Sequence, residues 1–322
     1  MFDNFLGIDV SSESFDVALR EAGGKLRQKR FANTQQGAER LIAWLGQPTR
    51  THACLEATGG YELALACQLH RAGLRVSLVN PVCTRSFATA QLRRAKTDPV
   101  DARDIASFCQ ALRPTPWSPP APELIELRHL VRRLPDLQQM VAQETCRRKA
   151  PGLSAAVATS LERHLAELAT GIAQLRKEIR ALFARHPQLA HQRDLLASIP
   201  GVGEATALVL LAECATATHC QRARQLGAYA GLTPKPCQSG KRKGKTRICK
   251  QGNSNLRRAL YWPAVTAMRH NPRLVEFARR LLANGKAKLQ VICAVMRKLL
   301  HQAFAILRDD RPFDPNYQAA RG

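Results

Sequence analysis

The ten cysteines of this chain form no Cys-x-x-Cys pair and no Cys/His ligand cluster, which excludes the common zinc modules and a cystine-stapled secreted fold. No apolar run reaches the roughly 18 residues of a membrane span, and no basic-then-apolar signal opens the chain. The thiols therefore read as buried groups of a reduced protein, and the expected location is cytoplasmic. Acid is scarce as well. Lys and Arg number 49 against 25 Asp and Glu, a net charge of +24. Residues 1–112 hold 14 basic and 11 acidic side chains, leaving 35 and 14 for the rest, so the excess of base is concentrated beyond residue 112. From Cys214 to Val275 there is neither Asp nor Glu, yet 13 Lys or Arg occur. A folded domain of this kind favours a polyanionic partner, nucleic acid first, because Leu226, Tyr229, Leu232 and Leu260 to Trp262 are interleaved with the charge.

What the first third does contain is a set of carboxylates at informative places. Phe5 to Val10 is a short apolar run carrying Asp9, and it reads as a buried strand. Ser14 to Arg20 and Leu26 to Phe31 alternate around Gly23-Gly24 and complete a meander. A helical pattern over Gln35 to Leu45 follows, then a strand His52 to Glu56, a helix to about Ala72, and a strand from Arg75 to Asn80 stopped by Pro81. One more helix leads to Lys96-Thr97-Asp98-Pro99-Val100-Asp101, the start of a helix running to about Leu112. Asp98 and Asp101, three apart, share a helix face and could hold a divalent metal for phosphodiester chemistry. The same residues also serve as an N-cap, a first-turn proline and a dipole partner. Asp9 could equally cap a turn with Ser11, and Glu56 could be an exposed strand end. Three strands followed by alternating helices and strands describe a ribonuclease H-like mixed sheet with helices on its faces. In that order Asp9, Glu56, Asp98 and Asp101 meet.

The succession Gly7-Ile8-Asp9, Leu55-Glu56-Ala57-Thr58-Gly59 and Lys96-Thr97-Asp98-x-x-Asp101-Ala102 resembles the DEDD transposases of the insertion-sequence one-ten family. The amino-terminal domain of that family is similar to the Holliday-junction resolvase RuvC. Asp104 stands outside the pattern and is expected at a solvated helix position.

Five prolines between Pro114 and Pro122 mark a linker. Helical periodicity resumes near Glu123, and Leu161, Leu165, Leu168, Ile172, Leu175, Ile179 and Leu182 follow an a/d seam. That seam suits a helical hairpin, a dimer contact or an amphipathic helix on its own domain; the resemblance implies a coiled-coil assembly arm. Pro135 predicts a kink and Pro151-Gly152 a break. Ser198 to Gly203, before an apolar helix to Glu213, looks like the turn of a helix-hairpin-helix or a plain tight turn. In the first case Gly201 and Gly203 let the backbone approach a phosphate. Gly240 to Thr246 imitates a P-loop, but the glycine spacing is one residue short and no parallel-sheet strand leads into it.

Ser239, after Gly231-Leu232-Thr233-Pro234, is ordinary turn chemistry on local grounds. The resemblance implies instead a serine nucleophile, which metals held by the carboxylates would activate. The expected organisation is a RuvC-like domain at 1–113, a linker at 114–122, a helical coiled-coil region at 123–192, a mainly helical carboxy-terminal transposase domain at 193–308, and a tail at 309–322. Phosphate or nucleic-acid contacts are expected at Lys96, Gly201, Gly203, Lys235, Lys241, Arg242, Lys243, Lys245, Arg247 and Lys250. The family resemblance further implies magnesium, double-stranded DNA, a guide non-coding RNA and a homo-oligomer. The rival readings are a resolvase-like hydrolytic nuclease that does not use Ser239, and a non-catalytic nucleic-acid-binding scaffold.

Overall fold

A computed structural model of the chain describes residues 4–57, 59–91, 98–214, 220–235, 238–239, 242–243 and 247–316; at Asp98, Pro99, Gln238, Ser239, Arg242 and Lys243 it describes the backbone alone. The calls at Lys96, Lys241 and Lys245, and the P-loop-like stretch around them, lie outside the described residues. The chain divides into two compact units, residues 1–119 and residues 120–322.

The first unit is mixed α/β. Strands β1 (Asn4–Val10), β2 (Ser14–Arg20) and β3 (Leu26–Ala32) precede helix α1 (Gln35–Leu45); β4 (Thr51–Glu56), α2 (Tyr61–Arg71), β5 (Arg75–Val79), α3 (Pro81–Ala90) and α4 (Asp98–Leu112) follow. The sheet order is β3-β2-β1-β4-β5, antiparallel through the first three strands in sequence and parallel across β1, β4 and β5. Antiparallel neighbours need only the short turns that the sequence supplies, whereas the parallel pairs need the helical crossovers. Local signals set the helix starts. Thr34 accepts from the Gly37 amide to cap α1, and Asn80 accepts from Val82 with Pro81 in the first turn of α3. β3 is an edge strand whose exposed residues are mostly charged or polar, which discourages pairing with another chain.

Helix α4 lies directly on β1, and Gly7 permits the approach. A Cβ at Gly7 would overlap the Ala102 carbonyl oxygen and the Ala106 amide. Gly7→Ala is therefore expected to force α4 off the sheet. The expected cost is on the order of 3 kcal/mol, the upper end for overpacking, read as a lowered unfolding midpoint of the first unit in denaturant. Asp104, expected in solvent, is buried at 6% exposure. The reason is that α4 is covered on two sides. Phe108, one turn further along, meets Phe87 of α3 edge-on, and Asp104 falls on that covered side. Among the thiols, Cys54, Cys67 and Cys109 are buried as expected, but Cys83 and Cys146 are exposed, each on the outer side of its helix. The proline-rich segment is packed rather than loose. Ser77 Oγ donates to the Pro114 and Thr115 carbonyls, the Trp117 amide donates to Val76, and the Trp117 side chain is buried.

The second unit is mainly helical. Helices α5 (Pro122–Arg148) and α6 (Ala155–Arg185) pair as a hairpin, broken at Gly152 and restarted by Ser154, which accepts from Val157. α5 runs on through Pro135. One backbone bond is lost there, while Leu127, Val131 and Leu137 are buried on either side of it. Then come α7 (Pro187–Ala197), α8 (Glu204–Cys214) and α9 (Ala223–Tyr229), followed by the short strands β6 (Pro234–Lys235), β7 (Gln238–Ser239), β8 (Arg242–Lys243) and β9 (Arg247–Ile248). Last are α10 (Ser254–Ala259), α11 (Tyr261–His270), α12 (Pro272–Ala283) and α13 (Lys288–Asp309). α10 and α11 are parted at Leu260, because Pro263 has no N–H for the Ala259 carbonyl. One core joins Leu127 and Val131 of α5, Ile179 and Leu182 of α6, and the carboxy-terminal helices. α13 is long and apolar enough to cross a membrane by length and composition, but Val291, Val295, Leu299 and Ala303 bury its apolar face in that core. Residues after it are docked as well: the Phe313 amide donates to Ser198 and Arg273 to the Pro315 carbonyl.

Candidate active site

Strand pairing puts the first carboxylates on one face. Asp9 and Glu56 lie one step beyond the parallel pair Ile8 and Leu55, on the same side of the sheet as Gly7 and Cys54. That is the α4 side, since Gly7 meets Ala102 and Ala106. The direction of α4 follows from its far end, where Arg20, opposite Phe5 in β2, donates to Ser107 at 3.0 Å. From Ser107 back to Asp98 the helix covers about 13 Å at roughly 1.5 Å per residue. From Phe5 to Asp9 the strand also covers about 13 Å at roughly 3.3 Å per residue. The amino end of α4, with Asp98 and Asp101, therefore stands at the level of Asp9. Asp9, Glu56 and Asp101 are all half-buried.

Two further groups shape this end of the sheet. Thr84 of α3, itself buried, donates a short hydrogen bond to Glu56 and accounts for one carboxylate oxygen. Asp16 of β2 sits directly opposite Asp9 and is also buried, but Arg30 of β3 binds it through two nitrogens at 2.6 to 3.1 Å. Its charge is matched within the sheet. Carboxylate oxygens are hard donors that suit magnesium. Among the described residues no three potential ligands are already clustered around one point, and the Asp98 side chain is not among those described.

In the second unit Ser239 lies in a two-stranded ribbon whose register sets it opposite Arg242, and Gln238 opposite Lys243. The base of this excursion is tied at both ends. β6 pairs with β9, the Cys249 amide donates to the Thr233 carbonyl, and the Lys250 amide to Gly231. Gly252, at φ 139°, lies under the Tyr229 carbonyl so closely that a Cβ would overlap it. Lys235, Arg247 and Lys250 are exposed around that base. The two glycines of the earlier turn differ. Gly201, at φ 99°, is packed on α11, where a Cβ would come within 2.8 Å of Ala267, whereas Gly203 faces open space. The freedom of Gly201 thus serves a helix contact.

Two family models match the chain. A DEDD "Transposase" model of the IS110 type covers residues 6–150, and the model "Transposase IS116/IS110/IS902 family" covers residues 193–279. A "Pilin gene-inverting protein" of Moraxella bovis is 33% identical over 320 residues, 98% of both chains. This chain belongs to the IS110 family of DEDD transposases. The "Transposase for insertion sequence element IS1328" of Yersinia enterocolitica is 25% identical over 94% of this chain and 96% of its own. Within the second unit, the DEDD model takes in all of α5 and closes just beyond it, while the other model opens in α7, so each takes in part of the shared core.

This IS110-family transposase also contains residues that sequence reading passed over. Glu213, next to last in α8, is buried at 1% exposure. Arg132 of α5 donates to both its oxygens at 2.6 and 2.9 Å, Arg128 stands at 3.5 Å, and Asn253 donates at 2.6 Å. Asn253 also donates to the Tyr229 hydroxyl and caps α10. Burial pushes the Glu213 carboxyl up, but Arg132, Arg128 and Asn253 together outweigh it and hold it below the ordinary carboxylate value. Burial likewise raises the Tyr229 phenol. The signal in the sequence was Glu213 itself, an acid inside an apolar helix, which requires a partner. The transposase thereby links the helical hairpin to the base of the serine ribbon.

Proposed function

We propose that the chain is a metal-dependent DNA recombinase that exchanges strands through a phosphoserine link. In this reading Asp9, Glu56, Asp98 and Asp101 hold magnesium, and Ser239 is the nucleophile. The serine Oγ–P bond forms as the bond from phosphorus to a deoxyribose oxygen breaks. The serine hydroxyl gives up its proton and the leaving oxygen gains one. A hydroxyl of another strand then reverses the step, so the phosphodiester is rebuilt without net hydrolysis. A divalent cation bound by the carboxylates supplies Lewis-acid stabilisation of the charge on the phosphoryl oxygens. Arg242, opposite Ser239 in register, adds a fixed positive charge on the ribbon.

One observation carries this reading. β1, β4 and α4 deliver Asp9, Glu56 and the amino end of α4 to one end of one sheet face. The relative that inverts pilin genes, by its name, and the named transposase both support strand exchange rather than simple cutting. We extend the reading to the partners of the resembled family: double-stranded DNA, a guide non-coding RNA and a second copy of the chain that completes the site. Guidance by RNA would assign sequence reading to base pairing and leave backbone contacts to Lys235, Arg247 and Lys250.

The test is a denaturing gel of end-labelled DNA from the flanks of the gene, incubated with the protein with and without magnesium. The expected result is labelled DNA migrating with protein, only with magnesium, and released by protease. Cut DNA without any adduct would establish the hydrolytic nuclease instead. Binding with no magnesium-dependent cleavage would leave the non-catalytic scaffold.

A further inference from the structure

Trp262 is 72% exposed and Tyr261 beside it 37% exposed, in a unit whose other large apolar side chains mostly reach the core. The two rings meet edge to face, 5.3 Å between centroids at 85°. Only Leu260 separates α10 from α11, so Arg258, Trp262, Thr266 and Arg269 follow one another along the outer side, all exposed, while Leu260, Ala264 and Ala267 anchor the inner side. Arg258 donates to Asn255 at 2.8 Å, a neutral partner that leaves its charge uncompensated there. No Asp or Glu occurs anywhere between Cys214 and Val275.

We propose that Tyr261 and Trp262 form a stacking site for an unpaired nucleobase, with Arg258 and Arg269 taking the flanking phosphates. An exposed indole between cations fits a nucleic-acid strand, because every base has a face to stack and every linkage a charge to neutralise. A duplex offers this ring little, since its bases are already stacked on each other. A second copy of the chain is the poorer occupant. Self-association here would set Arg258 and Arg269 against their own kind, and a single aromatic pair falls well short of the roughly 1,600 Å² of an ordinary stable interface. The surface therefore selects single-stranded or extruded nucleotides, a class of ligand different from the duplex recognised through backbone charge alone. The proposal rests on the reading of this unit as a polyanion-binding domain, and is independent of the role given to Ser239.

The experiment uses the full-length protein, a 12-nucleotide oligo-dT and a blunt duplex of equal length. Trp44 and Trp117 are the other tryptophans, and Trp117 is buried, so emission quenching that disappears in Trp262→Phe reports the exposed indole. Oligo-dT is expected to quench the wild type. Trp262→Ala should weaken oligo-dT binding by about 5- to 150-fold, the range for one stacked base, with Trp262→Phe retaining most of the affinity. Duplex binding should stay within about twofold, and the salt dependence should be unchanged, because no phosphate contact is removed. Unaltered oligo-dT binding in Trp262→Ala, with duplex binding intact, would overturn the stacking site alone. A smaller sedimenting species in Trp262→Ala would overturn it in favour of a contact between copies. Failure of the wild type to bind either DNA would sink the polyanion reading beneath it.

Discussion

Ser239→Ala is expected to abolish cleavage and joining together, by at least about a thousandfold, while DNA affinity stays within about twofold of wild type. The two effects separate because different atoms carry them. In the proposed reading affinity comes from exposed cations such as Lys235, Arg247 and Lys250, none of which the substitution touches. Turnover in the proposed reaction needs an oxygen that can hold the phosphate between strands, and alanine has none. Water can replace the serine only as a hydrolytic nucleophile, so any residual activity would give cut ends and no adduct. Ser239→Cys offers a second check, since a thiol keeps a nucleophile at the same point and should yield a protein-linked product even at a reduced rate. Adduct formation and strand joining read on a denaturing gel, beside anisotropy for binding, give the answer. Cleavage by Ser239→Ala at the wild-type rate would return Ser239 to the turn chemistry that its local sequence already explains.

The elements of the first unit were legible because each carries its own local signal. Gly23-Gly24, Pro81 and the alternation of apolar residues bracket strands that the structure places within a residue or two of expectation. Asp9 and Glu56 stood out for the same reason, as acids in otherwise apolar strands. What the sequence could not show is where facing surfaces close. Asp104 looks like a solvated position along α4, yet it is buried, one turn from Phe108 where α3 packs on that helix. Gly201 looks like a phosphate glycine, yet its missing side chain makes room for Ala267, some 66 positions away in sequence. The a/d stripe of α6 was compatible with another subunit or with a neighbour in the same chain; in the structure α5 pairs with it, Leu137 lying against Gly171. Asp16 was passed over since nothing in Ser14 to Arg20 announces that Arg30 lies across the strand pair. Each of these features depends on a long-range pairing, which periodicity does not encode.

Glu213→Ala should give the largest loss of stability of any single substitution considered, about 3–5 kcal/mol in the second unit, because it strands Arg132 and Arg128 without their carboxylate. Glu213→Gln keeps an acceptor for Asn253 and should lose less. The pH dependence has a definite sign. The folded carboxyl is held below its ordinary value, so the folded chain binds this proton more weakly than the unfolded chain. The stabilisation is therefore fully present above the ordinary glutamate value of about 4.3 and is lost as pH falls through the lower folded value. The gap between wild type and Glu213→Gln should be greatest near neutrality and shrink in acid, as followed by denaturant unfolding at several pH values. A gap that is constant with pH would mean the carboxylate contributes shape rather than charge. The same network predicts an effect on chemistry. Asn253 reaches Glu213, the Tyr229 hydroxyl and, through its backbone amide, the Tyr229 carbonyl that covers Gly252. Asn253→Ala removes the side-chain bonds and frees the base of the ribbon while leaving the Arg132–Glu213 pair in place. If that base positions Ser239, adduct formation should slow by about tenfold or more at unchanged DNA affinity, since small misplacements of a nucleophile are costly. An adduct rate equal to wild type in a folded Asn253→Ala protein would confine the network to stability.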